Sequence, residues 1–124
     1  MATASLPDHC VPCAAMQRCD LIDRDSATRL LSSSLAHWDV TTTPGGCLAL
    51  QRTFKFPNFK KGLEFVNSVG GMAEAEGHHP QVLLQWGSVR VTWFSFSIGG
   101  LHMNDFVCAR NTQRLFDEPQ ATQT

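Results

Sequence analysis

The chain has no surplus of positive charge. Ten lysines and arginines stand against eleven aspartates and glutamates, a formal charge of -1. Nothing gathers phosphates by bulk electrostatics, which excludes nucleic-acid binding of that kind. No apolar run approaches the length needed to cross a bilayer, so no membrane partner is expected. The opening residues, Met1-Ala-Thr-Ala-Ser-Leu-Pro7, carry neither a basic n-region nor an apolar h-region, and a cytoplasmic location is the expectation. A regular cysteine framework is also missing. Cys10, Cys13, Cys19, Cys47 and Cys108 form an odd set, which argues for free thiols over structural disulfides. Cys10-Val-Pro-Cys13, preceded by His9, is half of a zinc site; no second CxxC or HxxxH follows, so Cys19 and the pair His78-His79 are the candidate completions, and an arm with ordinary or redox-labile thiols is the competing reading. The sequence requires neither a metal nor an organic cofactor.

What is present is one modest domain. The 124 residues are 43% hydrophobic and 17% charged, enough for a single core and too few for two. Residues 1–19 contain two prolines and little periodicity and read as an N-terminal arm. Residues 20–118 form the domain, and residues 119–124 form a polar, flexible tail.

Within the domain, Asp23 or Asp25 caps a helix running to about Ala36, with Ala27, Leu30, Leu31 and Leu35 at helical spacing. Thr41-Thr-Thr-Pro-Gly-Gly46 is a turn by composition, joining Asp39–Thr42 to an alternating strand from Cys47 to Phe56. Asn58 then caps a second helix to Glu76, with Phe59, Leu63, Val66 and Ala73 on a wide apolar stripe flanked by Phe65, Val69 and Met72. Gly70-Gly71 inside it predicts a close approach or a bend, and Gly77 ends it. Two strands follow, Val82–Trp86 and Ser88–Phe96, with Phe94 and Phe96 on one face of the second. After Gly99-Gly100, Asn104 or His102 opens a last helix to about Phe116. The order α-β-β-α-β-β-α predicts an α+β fold, a four-stranded antiparallel sheet with three helices on one face.

The chemistry concentrates at Glu74-Ala-Glu-Gly-His78-His79-Pro80. Imidazole is the side chain whose unperturbed pKa lies nearest neutrality, so two of them at a helix end suggest proton transfer or metal ligation. Hydrogen bonding to backbone at a helix end is the competing, purely structural role. Five residues separate Pro80 from Trp86, nine separate Trp86 from Phe96, and eight separate Phe96 from Asp105.

That spacing resembles the pterin-4a-carbinolamine dehydratases. The resemblance runs from about Ser26 to Leu115 and includes Trp38 and Gly100-Leu101-x-x-Asn104-Asp105-Phe106. It implies acid–base expulsion of water from a 4a-hydroxytetrahydropterin. His78 would position the hydroxyl and His79 would act as acid or base. Glu74 and Asp105 would orient those rings, and Trp38 would wall the pterin pocket. It also implies a homodimer or homotetramer with helices packed between subunits.

The family's third imidazole falls on Phe96, and a phenyl ring cannot donate or accept a proton. His102, six residues on, is a candidate substitute. Some members of the family have lost catalysis and act as binding proteins, among them a RuBisCO assembly factor of α-carboxysomes. The expectation is therefore a degenerate, pterin dehydratase-like RuBisCO assembly factor or chaperone. It would be cytoplasmic or carboxysome-associated, with the RuBisCO large subunit as client and Phe94 and Phe96 as the client surface. The alternative is an active dehydratase, a lyase of tetrahydrobiopterin recycling.

Overall fold

Asp23 starts the first helix, α1 (Arg24–Ser34), by accepting the Ser26 backbone N–H at 2.7 Å, which satisfies one of the amides that a helix start leaves unpaired. The computed structural model describes residues 6–118; the expected tail at 119–124 lies outside the described residues. After α1 the chain forms β1 (Asp39–Thr42) and β2 (Leu48–Lys55), paired antiparallel with Val40 opposite Leu50. Asn58 caps α2 (Phe59–Glu76) through the Lys61 N–H at 2.8 Å. Then come β3 (Gln81–Gln85), β4 (Ser88–Trp93) and α3 (Met103–Asp117). The strands are ordered β1-β2-β4-β3, antiparallel throughout. The expected architecture of a four-stranded sheet with three helices against one face is the one observed.

Alternation decides which face the helices cover. Leu50 and Phe54 of β2 and Val89, Val91 and Trp93 of β4 are all buried in the core. Over them Phe54, Phe65 and Phe116 form a ring cluster with centroids 4.9–5.9 Å apart, tilted or edge-on as the ring quadrupoles favour. Arg52 is a polar residue on this face. Its guanidinium lies over Phe54, 4.6 Å from the centroid, and bonds to Gln113.

Three local expectations are corrected. The side of α2 turned to the sheet carries Gly62, Phe65, Val69 and Ala73, whereas Phe59 and Leu63 are exposed. The helix is apolar on two sides, and the sheet takes the side where Gly62 lets Leu84 and Val89 come close. The tight approach is accordingly at Gly62, where a Cβ would stand 3.0 Å from Leu84 Cδ1, while nothing lies within 4 Å of one at Gly70 or Gly71. Finally, β4 stops at Trp93. Ser95 N–H turns to Gly100 C=O at 2.8 Å, and Phe96–Ile98 curls into a 3-10 turn that ends on Gly99 at φ 80°. Phe94 and Phe96 therefore do not share a strand face.

Candidate active site

The histidine pair is aimed by the way α2 ends. Gly77, at φ 68°, is in the left-handed region that glycine enters without a Cβ penalty. Its N–H bonds to Glu74 C=O at 3.3 Å and the His78 N–H to Ala73 C=O at 3.2 Å, the paired bonds of a Schellman ending. The two side chains that follow diverge, His78 into the protein and His79 out to solvent.

His78 is 5% exposed and stacks on Trp93 at a centroid distance of 5.5 Å. Its Nε2 lies 2.6 Å from Asp105 Oδ1. A carboxylate only accepts, so Nε2 carries the proton and Nδ1 is the accepting nitrogen. Asp105 is fully buried, and its other oxygen accepts the Ser95 hydroxyl at 2.8 Å and the His102 backbone N–H at 2.9 Å. Three donors and the N-terminus of α3 therefore hold this buried charge. His79 is paired in the same manner but in the open, with Nε2 2.5 Å from Glu74 Oε2. Val66, Gly70, Glu74, His79, Pro80 and Val82 line a surface hollow of about 540 Å³.

The remaining sequence-derived candidates fall elsewhere. Trp38 is 3% exposed and sits edge-on to Phe54, its indole N–H on Gln113 at 3.0 Å. It is an interior residue of the core. Phe94 is half-buried and Phe96 is 81% exposed. His102 is the N-cap of α3, with Nδ1 accepting the Asn104 N–H at 3.0 Å. It lines a different hollow, with Val11, Asp20 and Met103. Its free nitrogen, Nε2, lies 3.9 Å from Asp20.

Sequence reasoning missed Ser95 and Trp93 as supports of the His78–Asp105 pair, and missed where the arm goes. Residues 6–13 lie across the junction of α2 and α3. Arg110 bonds to the carbonyls of Leu6, Pro7 and Asp8, and the Asn104 side chain exchanges two hydrogen bonds with Val11 at 3.0 and 2.8 Å. Glu76 accepts the Cys10 N–H and the His9 ring, each at 2.8 Å. Burial works against the Glu76 carboxylate, yet these two donors hold its pKa below the ordinary value, and Glu76 in turn raises that of His9. Cys13 ends this contact, its sulfur 3.3 Å from Gly77 C=O and 3.6 Å from His78 Nδ1. Burial, then Cys10 and Asp105, push the Cys13 thiol up. The available signal was the His9-Cys10-x-x-Cys13 cluster itself. Among the described residues no group of three or more histidines, cysteines or carboxylates could hold a metal ion. Nor is any described helix long and apolar enough to cross a membrane.

The family model for pterin 4 alpha carbinolamine dehydratase matches residues 20–115. A Chlorobium limicola protein named "Putative pterin-4-alpha-carbinolamine dehydratase" is 46% identical over 111 residues, covering 87% of this chain and 92% of its own. A Chlorobaculum tepidum protein of the same name is 42% identical over 110 residues, with 86% and 93% covered. Among solved structures, a transcriptional coactivator/pterin dehydratase from Brucella melitensis superposes with a TM-score of 0.66 at 24% identity, covering 77% of this chain and 97% of that one. A pterin dehydratase-like RuBisCO assembly factor of the alpha-carboxysome gives 0.53 at 19%, covering 66% and 92%. At those identities the two structures show the shared fold.

Proposed function

The chain belongs to the pterin-4a-carbinolamine dehydratase family, and from that premise we propose that its histidine corner removes water from a 4a-hydroxytetrahydropterin. One observation carries this: two adjacent imidazoles, each oriented by its own carboxylate, one buried at 2.6 Å and one open to solvent at 2.5 Å. The reaction needs a proton delivered to the departing hydroxyl and one removed from a ring nitrogen. His79, in contact with water, exchanges protons between turnovers. Asp105 occupies Nε2 of His78 and leaves Nδ1 as the nitrogen that would meet the hydroxyl once Cys13 of the arm moves off it. The hollow beside His79 lies in the size range of small-molecule sites. A positioned acid or base contributes on the order of 10²–10⁴-fold, so a site with Phe96 in place of the third imidazole is expected to be a slow dehydratase.

The test generates the 4a-carbinolamine with a pterin-dependent hydroxylase and follows its dehydration by absorbance. Acceleration over the uncatalysed reaction, abolished by His79→Ala, supports the proposal. A wild-type rate equal to background overturns it.

The exposure of Phe96 favours a second reading, a binding protein on the same scaffold. An aromatic ring 81% in water at the position of a missing acid or base is what a client surface would present. The assembly-factor neighbour suggests RuBisCO as the candidate client and a carboxysome setting; the large subunit is the part of RuBisCO proposed to be bound. Co-expression with RuBisCO subunits should raise the yield of soluble holoenzyme; an unchanged yield removes this reading. Self-association as a homodimer or homotetramer is supported by exposed Phe59 and Leu63 on α2 and exposed Val82 and Leu83 on the edge strand β3.

A further inference from the structure

Cys10 and Cys108 are 98 positions apart in sequence and in contact in space, with their sulfurs 3.4 Å from each other. Cys10 is half-buried on the arm, and Cys108 is fully buried on α3, one helical turn after Asn104. The arm is held on both sides of Cys10, by Glu76 at its own N–H and by Asn104 at Val11. The Cys10 sulfur thus faces the one on α3. Its near neighbour Cys13 faces Gly77 and His78. A disulfide has sulfurs about 2.05 Å apart, so bonding needs a closure of a little over 1 Å. Rotation of the Cys10 side chain on a loop can supply that.

We propose that Cys10 and Cys108 form a reversible disulfide that locks the arm over His78. The oxidant class is a peroxide. Cys10, the less buried residue of the pair, attacks the O–O bond as a thiolate and becomes a sulfenic acid, and the other peroxide oxygen takes up a proton and leaves as water. The Cys108 sulfur then attacks the Cys10 sulfur, and the sulfenic oxygen departs as water with the Cys108 proton. Both thiols have lost a hydrogen, and one peroxide has become two waters. A dithiol reductant reverses the bond by exchange. Hydrogen bonding to Cys10 and burial hold the Cys108 thiol far above its usual pKa range, which fits a sulfur that waits for the sulfenic acid and does not start the reaction.

The consequence follows from chain connectivity. Cys13 is three residues beyond Cys10, with its sulfur over His78 Nδ1, the one ring nitrogen that Asp105 does not occupy. Once Cys10 is bonded to α3, the segment at Cys13 is tethered within about 10 Å of that anchor, which favours its return to the nitrogen. In the reduced protein the described arm is held by non-covalent contacts, namely hydrogen bonds, the His9–Glu76 pair and the packing of Leu6 and Cys10 on the core, and local opening uncovers His78. That His78 is a working imidazole rests on the dehydratase reading; the cross-link and the covering of the ring do not.

The experiment treats the full chain with hydrogen peroxide and maps it by mass spectrometry after non-reducing digestion. In parallel, His78 modification by diethylpyrocarbonate is timed at the peptide level. The expected result is a Cys10 peptide joined to the Cys108 peptide, two hydrogens lighter than their sum. His78 modification should slow on the order of tenfold, and dithiothreitol should restore it. Cys10→Ser should lose both the cross-link and the protection, and because Cys10 is half-buried on a loop the variant tests this without disturbing the core. A Cys10–Cys13 pairing, or oxidation to sulfinic acid with no cross-link, overturns the proposal. A Cys10–Cys108 cross-link that leaves His78 reactivity unchanged overturns the lock. Neither readout uses turnover, so failure of the dehydratase reading is a separate result.

Discussion

Asp105 on α3 reaches His78 at the end of α2 across 2.6 Å, with both side chains out of water. The same carboxylate also takes the Ser95 hydroxyl and the His102 N–H, so it joins the end of β4, the start of α3 and the end of α2. Asp105→Ala removes the acceptor from three buried donors at once. At about 1–3 kcal/mol for each stranded group, offset where water enters, the expected loss is about 3–5 kcal/mol. Urea unfolding measures it, and a loss below about 1 kcal/mol would mean the donors find other partners.

Glu74 performs the same orienting task for His79 at the surface, and the contrast is diagnostic. Both side chains of that pair are more than half exposed, and exposed ion pairs contribute little to stability. Glu74→Gln should leave the urea midpoint essentially unchanged. If His79 is the acid or base, dehydration should slow on the order of tenfold. A large stability loss with unchanged turnover would contradict that role.

Phe96→His restores an imidazole where the family spacing places one. Phe96 is exposed, so the exchange breaks no packing and should not change the melting temperature. The expected gain in kcat/KM for carbinolamine dehydration is about 10²-fold. No gain would mean that the turn at Phe96–Ile98 keeps residue 96 away from the substrate.

The elements were legible in the sequence because their signals are local. Alternation marked β2 and β4, Asp23 and Asn58 marked helix starts, and Gly77 marked the turn that aims the histidines. The Glu74–His79 pair, five residues apart, is local too. What failed depends on contacts distant in sequence, except at the end of β4, where the deciding bond spans only five residues. The face of α2 was misjudged because apolar residues lie on two of its sides, and only the sheet, through Leu84 and Val89 at Gly62, decides between them. The end of β4 was misjudged because Phe94 and Phe96 continue the alternation while Ser95 turns to pair with Gly100. The arm was unreadable because its partners Glu76, Asn104 and Arg110 lie on helices more than 60 residues away.

Two glycines of α2 should respond to alanine with opposite signs. At Gly70 a Cβ meets nothing within 4 Å, and alanine in a helix interior gains about 0.5–1 kcal/mol over glycine. At Gly62 the added methyl would press on Leu84 Cδ1 at 3.0 Å and Val89 Cγ2 at 3.3 Å. Both neighbours belong to packed strands, so Gly62→Ala should cost about 1–3 kcal/mol of overpacking, less the propensity gain. Thermal melts of the two variants read the signs directly, and stabilisation by both would show that the sheet yields at Gly62.

Docking of the arm should depend on pH through His9 and Glu76, which Asp8 and Arg110 flank. Hydrogen bonding and charge from Glu76 raise the pKa of His9 above its ordinary 6.5. That contribution is complete below 6.5 and is lost as the pH rises through the raised value. Glu76 sits below its ordinary 4.5, because the Cys10 N–H and His9 outweigh its burial. Its contribution is complete above 4.5 and is lost as the pH falls through the lowered value. Both are whole between about 4.5 and 6.5, so the arm should be held best there and loosen toward alkaline pH. Hydrogen-exchange protection factors at Cys10 and Val11 in the reduced protein measure this, with His9→Gln expected to flatten the alkaline limb. A wild-type profile already flat from pH 5 to pH 8 would show that Asn104 and Arg110 hold the arm without the ion pair.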